Sequence, residues 1–500
     1  MTSNPISLKR FPSFGGAKPS KSEYEPVDQD EAATAGLREN AGPAWYQPVR
    51  RRNKPVVWLL LGSLVGLLYI IVHSSNSVGV SSAALGVPAG TEKLWALGTP
   101  SRSSFAYPPS RGASYLVDPA NFAARTAVDR GLEVRDLHLH FLNHHFGTHS
   151  ELLALTRTIS KRNNVKITFD ESMGVFNKYR SMTTTQAQAN DYWPTALKKE
   201  CDTQKYDMLV VGDTMPLVRP HLQNCCPLPI VTSLTTRFDW GNENDKSWGE
   251  LVQAASHWSN FRIHPNNLLE EWHAARKGWD IKFYDYLPSS GIPTERWEYA
   301  LLESYNKSNN TYMQPHDNEF VVPDTVRIKE CLSSKLDKLG IKYHGWQRNK
   351  YGGPLGLTDR VLAQVPYQSN TMSLFENLHQ RVTYLLPTMR LFAELGPDCA
   401  ARLEKVEGLT PEVMENRVDW WRKDLQHLFY YFDSFEELRE GSALRQHVEA
   451  TAEAKRVAIA NHMIRQREYV LQQWEDIFFG DWAKVKKADP SCVADIPWSP

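Results

Sequence analysis

Short apolar runs alternate with helical stretches over two separate parts of this 500-residue chain. The first part carries six strand-like runs, at residues 137–141, 165–169, 206–213, 229–234, 261–264 and 281–287. The second part carries about four, of which the last two lie within 360–367 and at 382–386. Alternation of short strands with helices is typical of doubly wound parallel sheets. We therefore predict an α/β chain with two Rossmann-like domains, at 130–295 and 315–400.

Long helical patterns follow the second domain. Apolar and aromatic residues recur at helical spacing over 418–440 and 447–479, which favours two long helices. The pattern predicts a mainly helical region over 401–500.

One βαβ unit, at residues 367–387, offers the best candidate site. The polar loop of Gln368, Ser369, Asn370 and Thr371 lies between a strand-like run and an amphipathic helix, and a buried strand follows. Ligands of parallel sheets bind where strands end and helices begin. The amides of this loop, its two hydroxyls and its backbone N–H groups suit an anion such as a diphosphate. The alternative interpretation is ordinary helix capping.

An uncharged apolar run covers residues 55–72, directly after Arg50, Arg51, Arg52 and Lys54. Its length is at the short end for a helix that spans a membrane; the alternative is a buried helix of a soluble domain. The basic flank predicts a cytosolic N-terminal side. We expect a disordered cytosolic tail at 1–54, a single transmembrane helix at 55–72 and a stem at 73–129. A short span favours the Golgi or ER membrane, with the residues after 73 in the lumen.

Glycosylation sequons and cysteines agree with a lumenal domain. Asn306 and Asn309 each begin an Asn-x-Ser/Thr sequon in a polar loop. All six cysteines follow the apolar run, at positions 201, 225, 226, 331, 399 and 492. An even number permits disulfides in an oxidising lumen, although the sequence does not fix their pairing. Adjacent Cys225 and Cys226 are spaced poorly for zinc, so no metal site is predicted.

Several function classes lack their usual signatures. The formal net charge is zero, which argues against a nucleic-acid partner. The chain has no G-x-G-x-x-G, no Walker sequence and no G-x-S-x-G elbow, which argues against nicotinamide, flavin and hydrolase chemistry. No D-x-D follows residue 72, so a metal-dependent nucleotide-sugar site has no obvious ligands. We expect no cofactor.

The stretch PYQSNTMSLFENLHQRVTYLLP, residues 366–387, resembles the donor-binding segment of GT-B glycosyltransferases. In that family, two glutamates in an E-x7-E pattern contact the donor sugar and the ribose of the nucleotide. Glu376 matches the second glutamate, whereas Gln368 stands where the family has the first. Ser369, Asn370 and Thr371 fall where the family's loop meets the diphosphate. The whole pattern resembles fungal-type, Golgi-anchored GT-B proteins.

The segment NHHFGTHSELLAL, residues 143–155, resembles the family's first strand–loop–helix unit. There a small residue opens the cleft and a polar side chain meets a substrate, which implies roles for Gly147 and Thr148. Thr148 with Glu151 also reads as a capping box. His145 is a candidate general base, with helix capping or support of a neighbouring group as the alternative.

Other candidate residues each have a plainer interpretation. Arg237 and Asp239 follow the run at 229–234, where they form either a structural ion pair or an acceptor site with Asp239 as base. Glu376 binds ribose or is simply a solvated carboxylate on a helix.

The resemblance implies a GT-B-like fold with two Rossmann-like domains facing a cleft. It implies a metal-independent glycosyltransferase, in the hexosyltransferase class, that uses a nucleotide sugar as co-substrate. The second domain would bind the donor and the first a lumenal glycan or glycoprotein acceptor. The alternative is a catalytically inactive GT-B-like lumenal protein that binds glycans or partners, which the departure at Gln368 favours.

Overall fold

Two parallel five-stranded sheets form the core of the protein in this computed structural model. The structure describes residues 125–143, 146–171, 184–291, 319–323, 329–346, 356–369, 371–395 and 409–494. The predicted tail, membrane span, glycosylation sites Asn306 and Asn309, His145 and Asn370 lie outside these ranges. None of the helices within them has the length and apolar character that a membrane span requires.

The first sheet has the strand order β2-β1-β3-β4-β5. Its strands are β1 Leu137–Leu142, β2 Ile167–Glu171, β3 Met208–Asp213, β4 Ile230–Leu234 and β5 Phe261–Pro265. Every residue of β3 is buried, because helices and loops cover both faces of the sheet. Five of the six strand predictions in this part of the chain are therefore confirmed.

The sixth predicted strand, at 281–287, is wrong. This segment runs beside β5, where the Tyr284 N–H donates to the Ile263 carbonyl at 2.8 Å and the Leu287 N–H to the Pro265 carbonyl at 2.8 Å. The chain bends at Asp285, whose carbonyl lies 3.0 Å from His264 Nδ1. The bend interrupts the regular ladder of backbone hydrogen bonds that defines a strand.

The second sheet has the order β10-β9-β8-β6-β7. Its strands are β6 Val321–Pro323, β7 His344–Trp346, β8 Val361–Ala363, β9 Thr383–Pro387 and β10 Phe429–Phe432. When the second sheet is read from β7 to β10, its strands come in the order second, first, third, fourth and fifth along the chain. The first sheet, read from β2 to β5, has the same order. Each sheet consequently reverses its winding between its first and third strands, the place where doubly wound sheets bind ligands.

Strand β10 overturns the predicted helix at 418–440. Its aromatic sequence FYYF suits a pleated surface, and it pairs with β9 so that Phe429 lies opposite Tyr384. Only single 3₁₀ turns flank it, at Gln426–Leu428 and Phe435–Leu438. The second sheet therefore extends past residue 400, whereas the helices Pro411–Arg417 and Ala443–Phe479 still occupy more than half of the described residues of 401–500.

The helices connect and cover the strands. In chain order they are α1 Phe146–Asn163, α2 Gln186–Tyr192, α3 Lys198–Asp202, α4 Arg219–Gln223, α5 Lys246–Ala255, α6 Leu269–Arg276, α7 Ser334–Lys338, α8 Met372–His379, α9 Met389–Glu394, α10 Pro411–Arg417 and α11 Ala443–Phe479. π-helical turns at Trp193–Leu197 and Lys329–Ser333 precede α3 and α7.

Helix α11 joins both halves. It has 37 residues and begins at an N-cap, where Ser442 Oγ accepts the Arg445 N–H at 3.1 Å. Val448, Ile459 and Met463 belong to the apolar core of the second sheet, whereas Trp474 and Phe478 belong to a core on the first. Two parallel Rossmann-like sheets and a long C-terminal helix make this an α/β, GT-B-like fold.

Disulfides tie the chain end to the first half. Cys201 pairs with Cys226, and the adjacent Cys225 pairs with Cys492, 267 residues further along the chain. Cys331 is disulfide-bonded as well. The vicinal cysteines thus enter two separate bridges, which the sequence left open.

Candidate functional site

The C-terminal edges of the two sheets face each other. Tyr286, beyond β5, places its hydroxyl 3.5 Å from the Asp419 carboxylate, and the Asp419 N–H donates to the Ser369 carbonyl at 3.1 Å. Arg417 of α10 reaches across to the Leu268 carbonyl, which follows β5, at 2.8 Å. The edges that parallel sheets use for ligands therefore lie together.

A narrow pocket opens at the winding reversal of the first sheet. Its walls come from the ends of β1, β3, β4 and β5, from the first turns of α1, from residues 287–289 and from α11. The lining residues are Phe141, Thr148, Glu151, Leu152, Leu155, Val210, Gly212, Ser233, Thr235, Asn266, Leu287, Pro288, Ser289 and Trp474. Hydroxyl and amide groups thus share the pocket with two buried aromatic rings, Phe141 and Trp474.

The end of β3 shows local strain beside this pocket. Asp213 is 3% exposed and has φ of 72°, a left-handed conformation that is uncommon for residues other than glycine. Its Oδ1 accepts the Thr235 hydroxyl at 2.7 Å, whereas Oδ2 has no hydrogen-bond partner within the part of the chain that the structure describes. Strain of this kind is often found at functional sites.

Gly212 permits a close approach of β3 to β1. A Cβ added at this position would lie 3.0 Å from the Phe141 ring and 3.2 Å from Asn143 Oδ1. The side chains that follow β1 therefore sit directly against the end of β3. Asn143 Oδ1 also accepts the Thr148 hydroxyl, so the predicted cleft residue Thr148 does lie at this edge. Gly147 lies beside it, in the first turn of α1.

The predicted capping box of Thr148 and Glu151 is wrong. Helix α1 begins at Phe146, which places Thr148 inside the first turn, with its hydroxyl engaged by Asn143. Glu151 turns away from the helix end and accepts the backbone N–H of Ser290 instead. That partner lies 139 residues away, so no local sequence signal could have shown it.

Glu151 has an unusual electrostatic environment. Burial raises the pKa of its carboxyl group to about 7, and the nearby Glu376 carboxylate adds to the rise, although hydrogen bonds from Ser290 and Ser289 oppose it. A carboxyl group with a pKa near neutrality can both accept and donate protons under physiological conditions. Sequence reasoning missed this residue as a candidate for chemistry.

The loop at the winding reversal of the second sheet contains the predicted donor-binding residues. Its backbone is held by the segment before β10, since the Gln368 carbonyl accepts Trp420 Nε1–H at 2.8 Å and the Ser369 carbonyl accepts the Asp419 N–H. The side chains of Gln368 and Ser369 are half-buried. Thr371 caps α8, where its Oγ1 accepts the Leu374 N–H at 3.2 Å. The predicted helix start is confirmed, and the capping interpretation holds for Thr371.

Glu376 is buried rather than solvated. It lies on α8 with 9% exposure, so the solvated-carboxylate interpretation is wrong. Its neighbour Phe375 contacts the turn that carries Ser290, because a Cβ at Gly291 would collide with the Phe375 carbonyl. Carboxylates from the two halves, Glu151 and Glu376, therefore lie close to the same turn.

Asp239 lies in a network of cations on the first half. It contacts Lys277 Nζ, His273 Nε2 at 3.3 Å and Arg237 Nε at 3.4 Å. Burial opposes ionisation of Asp239, but His273, Arg237 and Lys277 outweigh it and lower its pKa to about 2. A carboxylate this acidic is a weak base near neutrality. The contacts favour the structural ion pair over the predicted acceptor-binding role of Arg237 and Asp239.

A buried charge cluster connects the two edges. Arg422 donates to Asp419 at 2.7 Å and to Asp424 at 2.7 Å, and its guanidinium lies 5.0 Å from the centre of the Tyr286 ring. Tyr286 lies more than a hundred residues before Arg422 in the chain, so the sequence does not show this contact.

No protein-family model matches this chain, and no curated protein matches it either. Among solved structures, the UDP-GlcNAc 2-epimerase from Neisseria meningitidis bound to UDP-GlcNAc is 8% identical, with a TM-score of 0.36 over 68% of this chain and 99% of that one. Spinosyn rhamnosyltransferase SpnG complexed with thymidine diphosphate is 8% identical, with a TM-score of 0.29 over 68% and 100%. With TM-scores this low, the GT-B-like description rests on this chain's own strand order and on α11.

Proposed function

We propose that this protein is a glycosyltransferase that moves a sugar, in the hexosyltransferase class, from a nucleotide-sugar donor to a lumenal glycan or glycoprotein. One observation carries the proposal. Two parallel sheets with the same strand order turn their C-terminal edges toward each other, so both winding reversals border one region. Two substrates bound at these places would meet between the halves, which supplies the positioning that group transfer requires.

The donor would bind to the second half. Its diphosphate would lie against Ser369, Asn370 and Thr371, where the first N–H groups of α8 can stabilise negative charge, and Gln368 would face the donor sugar. Glu376 would bind the ribose hydroxyls. This arrangement needs no metal ion, which agrees with the missing D-x-D in the sequence.

The acceptor would bind to the first half, at the C-terminal edge of its sheet beside α1. Thr148, Ser233, Thr235 and Asn266 offer polar groups there for sugar hydroxyls. The predicted catalytic role of His145 stays a prediction, because this residue lies outside the described ranges. The role of Asp239 as a base is the less favoured one, for the electrostatic reason given above.

The proposal includes a type II membrane anchor at 55–72 and a lumenal catalytic part in the Golgi or ER. The disulfides support it, because bridges such as Cys225–Cys492 persist in oxidising compartments. Glycosylation at Asn306 and Asn309 belongs to the same proposal.

Binding of nucleoside diphosphates to the full-length protein tests the donor site. We expect UDP or GDP to bind, and Glu376→Ala to weaken that binding at least tenfold with a small change in melting temperature. Glu394→Ala is the matched control, since Glu394 lies on the neighbouring helix α9 and is exposed. Equal affinity in the two variants would show that Glu376 does not bind the nucleotide. Absence of binding in the unmodified protein would contradict the proposed glycosyltransferase function.

A second candidate is a catalytically inactive lumenal binding protein. Gln368 favours it, because the GT-B pattern has a glutamate where the donor sugar is held. Turnover of UDP-glucose, UDP-galactose, UDP-N-acetylglucosamine or GDP-mannose by the full-length protein would decide for the transferase. Binding of UDP or GDP with no turnover of any of the four would decide for the binding protein.

A further inference from the structure

The outer edges of the two sheets are covered in different ways. Beside β5, residues 284–287 supply backbone N–H donors to the Ile263 and Pro265 carbonyls. Beside β10, Lys455 of α11 donates to the Phe429 carbonyl at 3.1 Å. Strand β2 lies at the other edge of the first sheet. An edge strand with unpaired backbone groups can add a strand from another chain.

Strand β2 has backbone groups that point away from the sheet. Its pairing with β1 uses alternate residues, beginning with the Leu137 N–H, which donates to the Lys166 carbonyl at 2.9 Å. The N–H and C=O groups of Ile167 and Phe169 therefore point outward. Ser160 Oγ accepts the Ile167 N–H at 3.2 Å, but within the described residues no hydrogen bond engages the outward N–H or C=O of Phe169. An added strand can consequently pair with Phe169 through two hydrogen bonds.

An open groove of about 600 Å³, which we call the β2 groove, runs between β2 and α1. The side chains of Leu153, Val165, Ile167 and Phe169 line it, and each is half-buried. The groove follows residues 165–169, so a peptide segment that extends beside β2 would place every second side chain against these apolar groups.

The β2 groove is basic. Arg157, Lys161 and Lys166 line it and are exposed, whereas none of the described lining residues is acidic. No carboxylate lies within ion-pair distance of either lysine in the described part of the chain. Two acids adjoin β2: Asp136 accepts the Lys166 backbone N–H at 2.8 Å, and Asp170 is paired with a lysine before β3 at 2.9 Å. The charge of the groove therefore favours an acidic ligand.

This inference goes beyond the proposed function. We propose that β2 docks an extended acidic peptide segment of a partner protein, which adds a sixth strand to the first sheet. Apolar side chains of the segment would enter the β2 groove, and its carboxylates would pair with Lys161 and Lys166. A second copy of this chain is the less favourable partner, because two β2 strands would bring the same lysines against each other.

A fluorescent peptide of nine alternating valines and glutamates is the probe, and its anisotropy with the full-length protein measures binding. Lys161→Glu combined with Lys166→Glu should weaken binding at least about tenfold, because each change turns an attraction into a repulsion. Lys338→Glu combined with Lys342→Glu is the matched control, since both lysines are exposed on the second half, and it should leave the affinity within about twofold. A peptide of alternating valines and lysines should not bind.

An N-methylated peptide and hydrogen exchange separate strand addition from simple charge attraction. The same valine–glutamate peptide with N-methylated backbone amides keeps its charge but cannot donate to β2, so its affinity should fall at least about tenfold. Binding of the unmodified peptide should slow hydrogen exchange at residues 167–171 and leave β10 unchanged. Equal affinity for the N-methylated peptide, or unchanged exchange in β2, would overturn strand addition.

Two further outcomes would overturn the proposal as a whole. Absence of peptide binding would show that the lysines only protect the β2 edge from self-association. Binding of heparin fragments without binding of the peptide, with a loss in the Lys161/Lys166 variant, would assign the β2 groove to sulfated glycans instead.

Discussion

The two sheets share one strand order, but their cleft edges are built differently. The first sheet has strands of five or six residues and ends in charged and polar side chains such as Asp213 and Asp239. The second has three strands of only three residues, and its loop at 368–369 is held through backbone carbonyls. Charged side chains, as at the edge of the first sheet, can take part in proton transfer. A loop whose backbone is held in place, as at the edge of the second sheet, can present its N–H groups to an anion.

The turn at residues 289–291 and the Arg422 cluster make the two edges depend on each other. Gly291 of the turn packs against the Phe375 carbonyl of the second half, and Tyr286 of the first half contacts Asp419 and Arg422. Variants at these places should therefore cost more stability than matched variants within one half.

Arg422→Met should have the largest effect. It leaves the fully buried Asp419 without its guanidinium partner, which costs about 3–5 kcal/mol of unfolding free energy for buried ion pairs. Arg390→Met removes exposed pairs with Asp433 and Glu394 and should cost less than about 1 kcal/mol. Denaturant unfolding measures both variants. Similar losses would show that the cluster does not connect the edges energetically.

Gly291→Ala should have the second largest effect on stability. Gly291 has φ of +68°, and a new Cβ would collide with the Phe375 carbonyl, so strain and overpacking together cost about 2–4 kcal/mol. Gly278→Ala is the control: it has φ of +80° with open space around the Cβ and should lose about 1 kcal/mol. Thermal unfolding of the two variants gives the difference. Equal melting temperatures would contradict close packing of the turn on α8.

Glu270→Gln should have the smallest effect and should depend on pH. Burial and the neighbouring Asp239 raise the pKa of Glu270 from 4.5 to about 8. The native state therefore binds more protons than the unfolded chain between these values, and stability falls as pH rises through about 8.

The Gln variant keeps an acceptor for the Phe238 N–H and should remove this decline. Melting temperatures between pH 5 and pH 9 test it, and Glu271→Gln, at a half-buried neighbour that pairs with Arg417, should keep the original slope. If both variants decline alike, the pH sensitivity does not originate at the edge of the first sheet.

Local patterns in the sequence were sufficient for most of the fold. Apolar runs at β1, β3 and β9 and the cap at Thr371 are properties of neighbouring residues, so they were predicted correctly. The helix predicted at 418–440 failed because FYYF has helical spacing as well as strand character, and only its pairing with β9 decides between them.

The candidate site was less predictable for the same physical reason. Glu376 was found through a local pattern, but the packing of its helix against Gly291, through the Phe375 carbonyl, depends on the other half of the chain. The roles of Glu151 and Arg422 depend on Ser290 and Tyr286, which lie more than a hundred residues away. Long-range contacts of this kind leave no periodicity in the sequence.

Helix α11 limits how this protein can be taken apart or recombined. Its 37 residues extend for about 55 Å. This one helix supplies buried residues to the apolar cores of both halves. A chimera that exchanges only the second half would have to splice inside this helix, close to Met463, and keep the helical register on both sides. Replacement of the loop at 368–371 should therefore leave the fold intact, whereas exchange of a whole half should not.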